Sequence, residues 1–291
     1  MKKYTYQVLL MITAFIWGSA FVAQSEGTAY IGPWTFNCLR CVFGATVLFL
    51  ALPILNKKIN HVSTINKETI KGGIIAGFIV ALGMYFQQYG IAYTTVGKAG
   101  FLSSLYIIIV PLLVFFIKKK THISIWFAVV IALVGLYYLS FSEKETFESG
   151  DIYIIICAFI FSLHILCIDH FTNNCNPIYL SLIQFVFVAI FSFGPMMLFE
   201  KPELVNIQNA IIPILYAGVL STGVAYTLQV VSQKELDSSL ASIIMSLEAV
   251  FAAISAYLFL GQIMSTREIL GSSLVFASII IAQLPDILKK G

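Results

Sequence analysis

Charged residues are scarce in this 291-residue chain. Lys, Arg, Asp and Glu together make up 11% of the sequence, whereas 59% is hydrophobic and the mean hydropathy is +0.92. A soluble domain carries charge at roughly 25% of its positions, so this chain has too few charges to cover a surface that faces water. The composition excludes an ordinary soluble protein and indicates that lipid is the main solvent.

Motifs that hold nucleotides, metals or catalytic nucleophiles are also missing. The sequence has no H-E-x-x-H, P-loop, G-x-G-x-x-G or G-x-S-x-G. Its five cysteines lie in or beside apolar runs, and the pair Cys38 and Cys41 has no second pair that would complete a zinc site. The net charge of +3 is too small to indicate a nucleic-acid partner. We therefore expect no enzymatic activity, no cofactor, no metal and no disulfide framework.

Long apolar segments fill most of the chain. A bilayer core about 30 Å thick needs about 20 apolar residues per helix, and ten segments approach this length, near 6–24, 33–53, 72–92, 98–117, 123–140, 151–169, 177–199, 209–232, 239–260 and 267–285. They are continuously apolar, without the alternation of barrel strands. The prediction is an all-α polytopic membrane protein with ten transmembrane helices, of which the fifth and tenth match the requirement least well.

The 17 basic residues predict the orientation of these spans. With the N terminus inside, four basic residues lie on the outer side (Lys98, Lys144, Lys201 and Arg267), and Arg40 lies within a span. The other twelve lie on the cytoplasmic side: Lys2, Lys3, Lys57, Lys58, Lys67, Lys71, Lys118, Lys119, Lys120, Lys234, Lys289 and Lys290. This bias predicts a multi-pass protein of the inner membrane with both termini in the cytoplasm.

Internal similarity divides the chain into two repeats, residues 1–142 and 150–286. An offset of 144 aligns "AFI" at 14–16 with "AFI" at 158–160 and gives eight identities in 36 positions. Each repeat then contains five spans, and because five is odd, the second repeat enters the membrane from the opposite side. Inverted repeats commonly enclose a substrate site near the midplane, so this organisation indicates a transporter.

Four stretches of the sequence carry a family resemblance. They are "WGSAFV" at 17–22, "LRCVFGA" at 39–45, "TTVGKAGFLSSLYIIIVPLL" at 94–113 and "SLEAVFAAISAYLFLGQ" at 246–262. In this order, and with ten spans, they resemble the EamA-type permeases of the drug/metabolite transporter superfamily. The pattern departs at Ala249, where the family usually has proline, and at Gln262, where it usually has an acid. The resemblance implies transport of amino acids and other small metabolites, often outward.

The presence or absence of proline predicts the shape of two helices, the ninth and the fourth. A proline inside a helix kinks it, and the substitution by alanine predicts that the ninth helix lacks the family's kink. Pro111 is in position to kink the fourth helix.

Two ionisable residues lie deep within spans, where they should face the bundle interior and find partners. By the helical rise of 1.5 Å per residue, Glu248 lies close to the midplane and Arg40 within about 6 Å of its depth. We hypothesise that they share a polar network between the two halves, involved in binding substrate or protons. The alternative is a structural ion pair, or a protonated Glu248 bonded to a backbone carbonyl. His164 and Gln184 should pair with each other, with His164 as a proton relay or a packing residue.

Aromatic and polar residues at depth complete the predicted cavity, since small-molecule sites usually combine the two. The predicted substrate-binding residues are Trp17, Arg40, Tyr85, Gln88, Tyr106, His164, Tyr226, Ser246 and Glu248. Lys98 at the outer start of the fourth span is expected to extend to the headgroups, and Trp34 to join an interfacial aromatic belt. Asp237 is expected to cap the ninth helix.

The class of protein that these features favour is a secondary transporter of a small molecule. A multi-span enzyme or lipid-handling protein would cluster acids, histidines or arginines at one membrane face, whereas the largest cluster here is Lys118 to Lys120. A scaffold or receptor is the third class. The sequence leaves open whether protons are coupled to transport and whether the protein forms oligomers.

Overall fold

The computed structural model describes residues 3–58, 65–118, 121–140, 147–261 and 265–288. Within these ranges the chain is helical and contains no strand. Ten helical rods are present: α1 (Lys3–Thr28), α2 (Pro33–Lys58), α3 (Lys67–Ile91), α4 (Val96–Ser103 and Tyr106–Lys118), α5 (Ile123–Ser140), α6 (Ser149–Thr172), α7 (Pro177–Pro195 and Met196–Glu200), α8 (Ile211–Leu215, Tyr216–Ala225 and Tyr226–Gln233), α9 (Ser238–Met245 and Leu247–Leu260) and α10 (Thr266–Leu288). A short helix, Leu204–Asn209, precedes α8.

Eight of the described rods are long and apolar enough to cross a membrane, judged by length and composition. The two others are α5, whose apolar part Ile123–Leu139 is shorter, and α10, which begins with Arg267 and Glu268. These are the fifth and tenth segments, which also matched the requirement least well in the sequence. The predicted all-α polytopic fold is confirmed. Several residues used above lie outside the described ranges, namely Lys2, Lys119, Lys120, Lys144, Gln262, Lys289 and Lys290.

Helix packing between the two halves follows a two-fold pattern. α1 packs on α9 as α6 packs on α4, and α2 packs on α8 as α7 packs on α3. α1 also contacts α8, and α6 contacts α3, while α2 packs on α7 and α5 on α10. Exchanging α1–α5 with α6–α10 leaves this set of neighbours unchanged, as two inverted repeats require. Both halves therefore contribute helices to the centre of the molecule.

Two of the rods, the fourth of each half, are interrupted after their first eight residues. α4 breaks at Ser104 and Leu105, and α9 breaks at Ser246. The Ser246 hydroxyl donates to the Ile243 carbonyl at 2.7 Å, and such bonds back to the preceding turn bend helices. Without the family's proline, α9 is still not one continuous helix, because it is interrupted at Ser246. In α4 the break precedes Pro111, which lies inside the second part of the rod.

A glycine seam allows α5 and α10 to pack backbone against backbone. A Cβ atom on Gly271 would lie 2.5 Å from the carbonyl oxygen of Gly135, and a Cβ on Gly135 would lie 2.7 Å from the carbonyl oxygen of Gly271. Small residues permit such close approach in membranes. Because both neighbours are backbone atoms, neither can move aside without shifting a helix.

Replacing Gly271 by alanine should therefore destabilise the protein by about 1–3 kcal/mol through overpacking. The expected result is a lower thermal midpoint of the purified protein in detergent. The matched control is Gly194→Ala in α7, where an added Cβ meets nothing within 4 Å. Equal midpoints for the two variants would contradict the close α5–α10 contact.

Candidate functional site

A buried cavity of about 30 Å³ lies at the centre of the bundle, where α1, α2, α3, α4, α6, α8 and α9 meet. Its polar lining consists of Gln24, Arg40, Gln87, His164, Ser221, Gln229 and Glu248. Its aromatic lining consists of Trp17, Phe21, Tyr106, Phe161 and Tyr226. A space of this size holds roughly one or two water molecules, so any larger solute requires the surrounding helices to move apart.

Arg40 connects the first half to α8 at this cavity. Its Nε donates to Thr222 Oγ1 at 3.0 Å and its Nη2 donates to Ser221 Oγ at 2.9 Å. Its Nη1 donates to Gln24 Oε1 at 3.3 Å, and the Phe36 ring centroid lies 5.9 Å from the guanidinium carbon. A guanidinium has five N–H groups. Three of them are used here, which leaves two for a further acceptor.

Glu248 connects the second half to α4. It is 3% exposed, and its Oε1 accepts a hydrogen bond from Ser104 Oγ at 3.4 Å, at the point where α4 is interrupted. The backbone of α1 lies close by, since a Cβ on Gly18 would lie 2.5 Å from the Glu248 carbonyl oxygen. The acid is therefore held where helices of both halves meet.

The structural ion pair between Arg40 and Glu248, which was the alternative to a shared polar network, is not formed. No ion pair within 4.0 Å joins them in the described part of the chain, and each binds neutral side chains instead. Their depths were matched along the helix axes, but depth does not give the direction in which a side chain points. α2 packs on α8 and α7, whereas α9 packs on α1, so the two groups approach the cavity from different sides.

His164 pairs with Gln184 as predicted, with 3.1 Å between His164 Nε2 and Gln184 Oε1. The imidazole is 1% exposed and its ring lies 6.0 Å from the Tyr226 ring. Tyr226 in turn lies 4.7 Å from the ring of Trp17, whose Nε1 donates to the Ser221 carbonyl at 3.4 Å. These aromatic contacts join α1, α6 and α8 around the cavity.

The structure brings six of the nine predicted residues to the central cavity: Trp17, Arg40, Tyr106, His164, Tyr226 and Glu248. Tyr85 does not line this cavity, and its ring stacks on that of Trp34 with 4.2 Å between the centroids. Trp34 therefore packs against another side chain of the protein. Gln88 lines a separate pocket of about 260 Å³ and donates to the Gln24 carbonyl at 3.0 Å. Ser246 bonds within its own helix. In α3 the residue that lines the central cavity is Gln87, the immediate neighbour of Gln88.

The structure contradicts the prediction that the Lys98 side chain extends to the headgroups. Its side chain is fully buried, and its Nζ lies 2.8 Å from Asp151 Oδ2 at the start of α6. Asp151 also accepts hydrogen bonds from Thr94 Oγ1 at 2.5 Å and from the Glu148 backbone N–H at 2.9 Å. Lys98 therefore does not extend to the headgroups. Opposite charges at the outer starts of two spans were the available signal, and sequence reasoning missed it.

Two acidic residues cap helices. Asp237 caps α9 as predicted, because its Oδ1 accepts from the Ser239 backbone N–H at 2.8 Å. Glu200, which the sequence reasoning did not single out, accepts from the backbone N–H groups of Trp34 and Thr35 at 2.9 and 2.7 Å and from Thr35 Oγ1 at 2.6 Å. These hydrogen bonds join the end of α7 to the start of α2, the helix that carries Arg40.

Comparison with known proteins agrees with this architecture. The model of the EamA-like transporter family matches residues 5–141 and again residues 148–283. The chain belongs to this family. It is 31% identical over 279 residues to an uncharacterized transporter of Archaeoglobus fulgidus, covering 94% of this chain and 84% of that protein. It is 26% identical to the uncharacterized transporter YoaV of Bacillus subtilis, covering 93% of this chain and 94% of that one.

A solved crystal structure of a protein has the same fold, with a TM-score of 0.79 over 100% of both chains at 15% identity. As an EamA-like protein, the chain is a multi-pass membrane transporter of the drug/metabolite type, and its substrate is a small molecule.

The Lys98–Asp151 pair provides a test of the site's framework. Lys98→Met should destabilise the protein by about 3–5 kcal/mol, because it leaves the Asp151 charge buried without its partner. The thermal midpoint in detergent measures the loss. Lys67→Met is the control, since Lys67 is exposed at the start of α3. The double variant Lys98→Met/Asp151→Leu should recover part of the loss, and a double variant less stable than Lys98→Met would contradict the pairing.

Proposed function

We propose that this EamA-like protein exports amino acids or closely related small metabolites by alternating access between its two halves. The observation that carries the proposal is that a basic and an acidic side chain, Arg40 and Glu248, line one buried cavity without pairing to each other. An α-amino acid carries a carboxylate and an ammonium group on the same carbon atom. The two protein charges therefore complement the two charges of such a solute.

Each charged group has bonding capacity left for the solute. The two remaining N–H groups of Arg40 suit a carboxylate, because guanidinium and carboxylate groups form paired, charge-assisted hydrogen bonds. An ionised Glu248 carboxylate accepts several hydrogen bonds, of which Ser104 supplies one at 3.4 Å, so it suits an ammonium group. Trp17 and Tyr226 supply an aromatic surface for the solute's side chain.

Alternating access accounts for the small volume of the cavity. At about 30 Å³ it cannot enclose an amino acid, so the seven rods around it must separate to admit one. Because these rods come from both inverted halves, rocking one half against the other would open the cavity first to one face and then to the other. The repeats 1–142 and 150–286 are the proposed moving units.

Orientation and direction complete the proposal. The bias of the basic residues supports both termini in the cytoplasm of a cell with an inner membrane. Export is favoured by the resemblance of the sequence to outward-transporting permeases. Glu248 and His164 are the ionisable groups in the cavity, besides Arg40, through which protons could be coupled to this movement.

A flux assay in proteoliposomes tests the substrate class. Zwitterionic amino acids should be transported, whereas the amines that lack the carboxylate and the acids that lack the amino group should not. Arg40→Gln should reduce the flux at least about tenfold, because one lost charge-assisted hydrogen bond is worth about 1.5–3 kcal/mol. Equal transport of the decarboxylated amines would contradict the role of Arg40.

Glu248→Gln tests the second charge and the coupling of protons together. The variant should transport amino acids more slowly, and if Glu248 carries the proton, its flux should no longer depend on an imposed pH gradient. Glu26→Gln is the matched control, since Glu26 lies exposed at the outer end of α1, away from the cavity. Wild-type flux at every pH in Glu248→Gln, with normal expression, would exclude Glu248 from binding and coupling.

A further inference from the structure

A row of buried polar side chains continues from the central cavity toward the face of the membrane where α1 begins. We call it the polar row, and it consists of Ser181 and Gln184 on α7 and Gln229, Ser232 and Gln233 on α8. Each of these side chains is at most 2% exposed. Gln229 lines the central cavity itself, so the row starts at the proposed binding site.

Every member of the polar row carries an atom without a hydrogen-bond partner in the described part of the chain. These atoms are Ser181 Oγ, Gln184 Nε2, Gln229 Oε1, Ser232 Oγ and Gln233 Oε1. A buried polar atom left without a partner costs about 1–3 kcal/mol. Five such atoms on two adjacent helices would cost a large amount of folding free energy if these side chains served only to pack the helices.

Contacts with one turn of α6 bring the two parts of the row together. Gln184 on α7 lies 3.1 Å from His164 Nε2, and Gln233 on α8 donates to the carbonyl oxygen of Ile165 at 3.2 Å. Within α7 the spacing from 181 to 184 is three residues, and within α8 the spacings from 229 to 232 and 233 are three and four. Residues so spaced lie on one face of a helix, so both faces are directed toward the turn at 164–165.

The row also reaches the end of the bundle. α7 begins at Pro177, so Ser181 lies about 6 Å along the helix from its start at 1.5 Å per residue. α8 ends at Gln233. The row therefore extends from the cavity to the face where α7 starts and α8 ends, which is the face predicted to be cytoplasmic.

We propose that the polar row lines the path by which a polar, hydrogen-bonding solute and its water pass between the N-terminal face and the central cavity. This inference rests on the proposed transport function and adds the route. The row consists of amides and hydroxyls and contains no Lys, Arg, Asp or Glu. Amides and hydroxyls form hydrogen bonds that replace part of the hydration lost by a zwitterion, without forming an ion pair with either of its charges. Passage requires such weak binding, because the solute must be able to leave each position.

The test is the reaction of introduced cysteines with a membrane-impermeant thiol reagent in sealed vesicles of either orientation. Ser181→Cys and Ser232→Cys change one atom of each side chain. The matched controls are Leu180→Cys and Val230→Cys, which are fully buried neighbours on the same two helices. All four variants are made in a background whose five native cysteines are replaced by alanine and whose flux and thermal midpoint match those of the natural chain.

Because the reactive thiolate forms where water reaches the sulfur, the two serine positions should react at least about tenfold faster than the controls. The reaction should occur from the N-terminal face, and a transported amino acid should slow it. Reaction no faster than that of the controls, or reaction only from the opposite face, would overturn the proposed path.

A second measurement covers the case in which the cysteine-free background does not fold. In the natural chain, Gln233→Leu should reduce the flux at least about fivefold while leaving the binding affinity for the amino acid unchanged, because the residue lies on the path and outside the cavity lining. Flux equal to that of the natural chain would overturn the proposal. The labelling experiment does not require a transported solute, so it separates the two proposals. If the serine positions do not react but amino-acid flux is intact, the path is rejected and the transport function stands. If they react but no amino acid is transported, the proposed substrate class is rejected.

Discussion

The inability of lipid to form hydrogen bonds governs this structure. A polar group that enters the hydrocarbon region without a partner costs free energy, and each ionised group costs at least about 2.5–3.5 kcal/mol on insertion scales. The chain meets this constraint by turning its polar side chains inward, where Arg40 binds Ser221 and Thr222 and Glu248 binds Ser104. Both sets of bonds cross from one half to the other, so the charges that line the cavity also hold the halves together.

The inverted repeat determines how the helices pack, and side chains that differ between the two repeats determine which groups line the cavity. The helix pairings of the first half recur in the second, and α4 and α9 are each interrupted after their first eight residues. The charge at the cavity does not recur, since Arg40 corresponds to Gln184 at the offset of 144. The two similar halves thus enclose a cavity that is lined by a basic residue of the first half and an acidic residue of the second.

Sequence reasoning predicted the helices, because hydropathy depends on local composition. It also paired His164 with Gln184. It failed where the direction of a side chain decided the outcome. Tyr85, Gln88 and Ser246 lie on faces turned away from the cavity, and those faces are set by how neighbouring helices pack. Lys98 was misplaced because its partner, Asp151, belongs to the other half of the chain, and opposite charges at two distant helix starts do not by themselves predict an ion pair.

The buried ion pair between Lys98 and Asp151 has a consequence for how the transporter responds to its surroundings. Any motion that separates the outer starts of α4 and α6 must pull these ions apart where counterions do not reach. Dissolved salt screens exposed charges over about 8–10 Å at physiological strength but has little effect on buried pairs. Salt therefore does little to weaken the pair as long as the starts of α4 and α6 stay together.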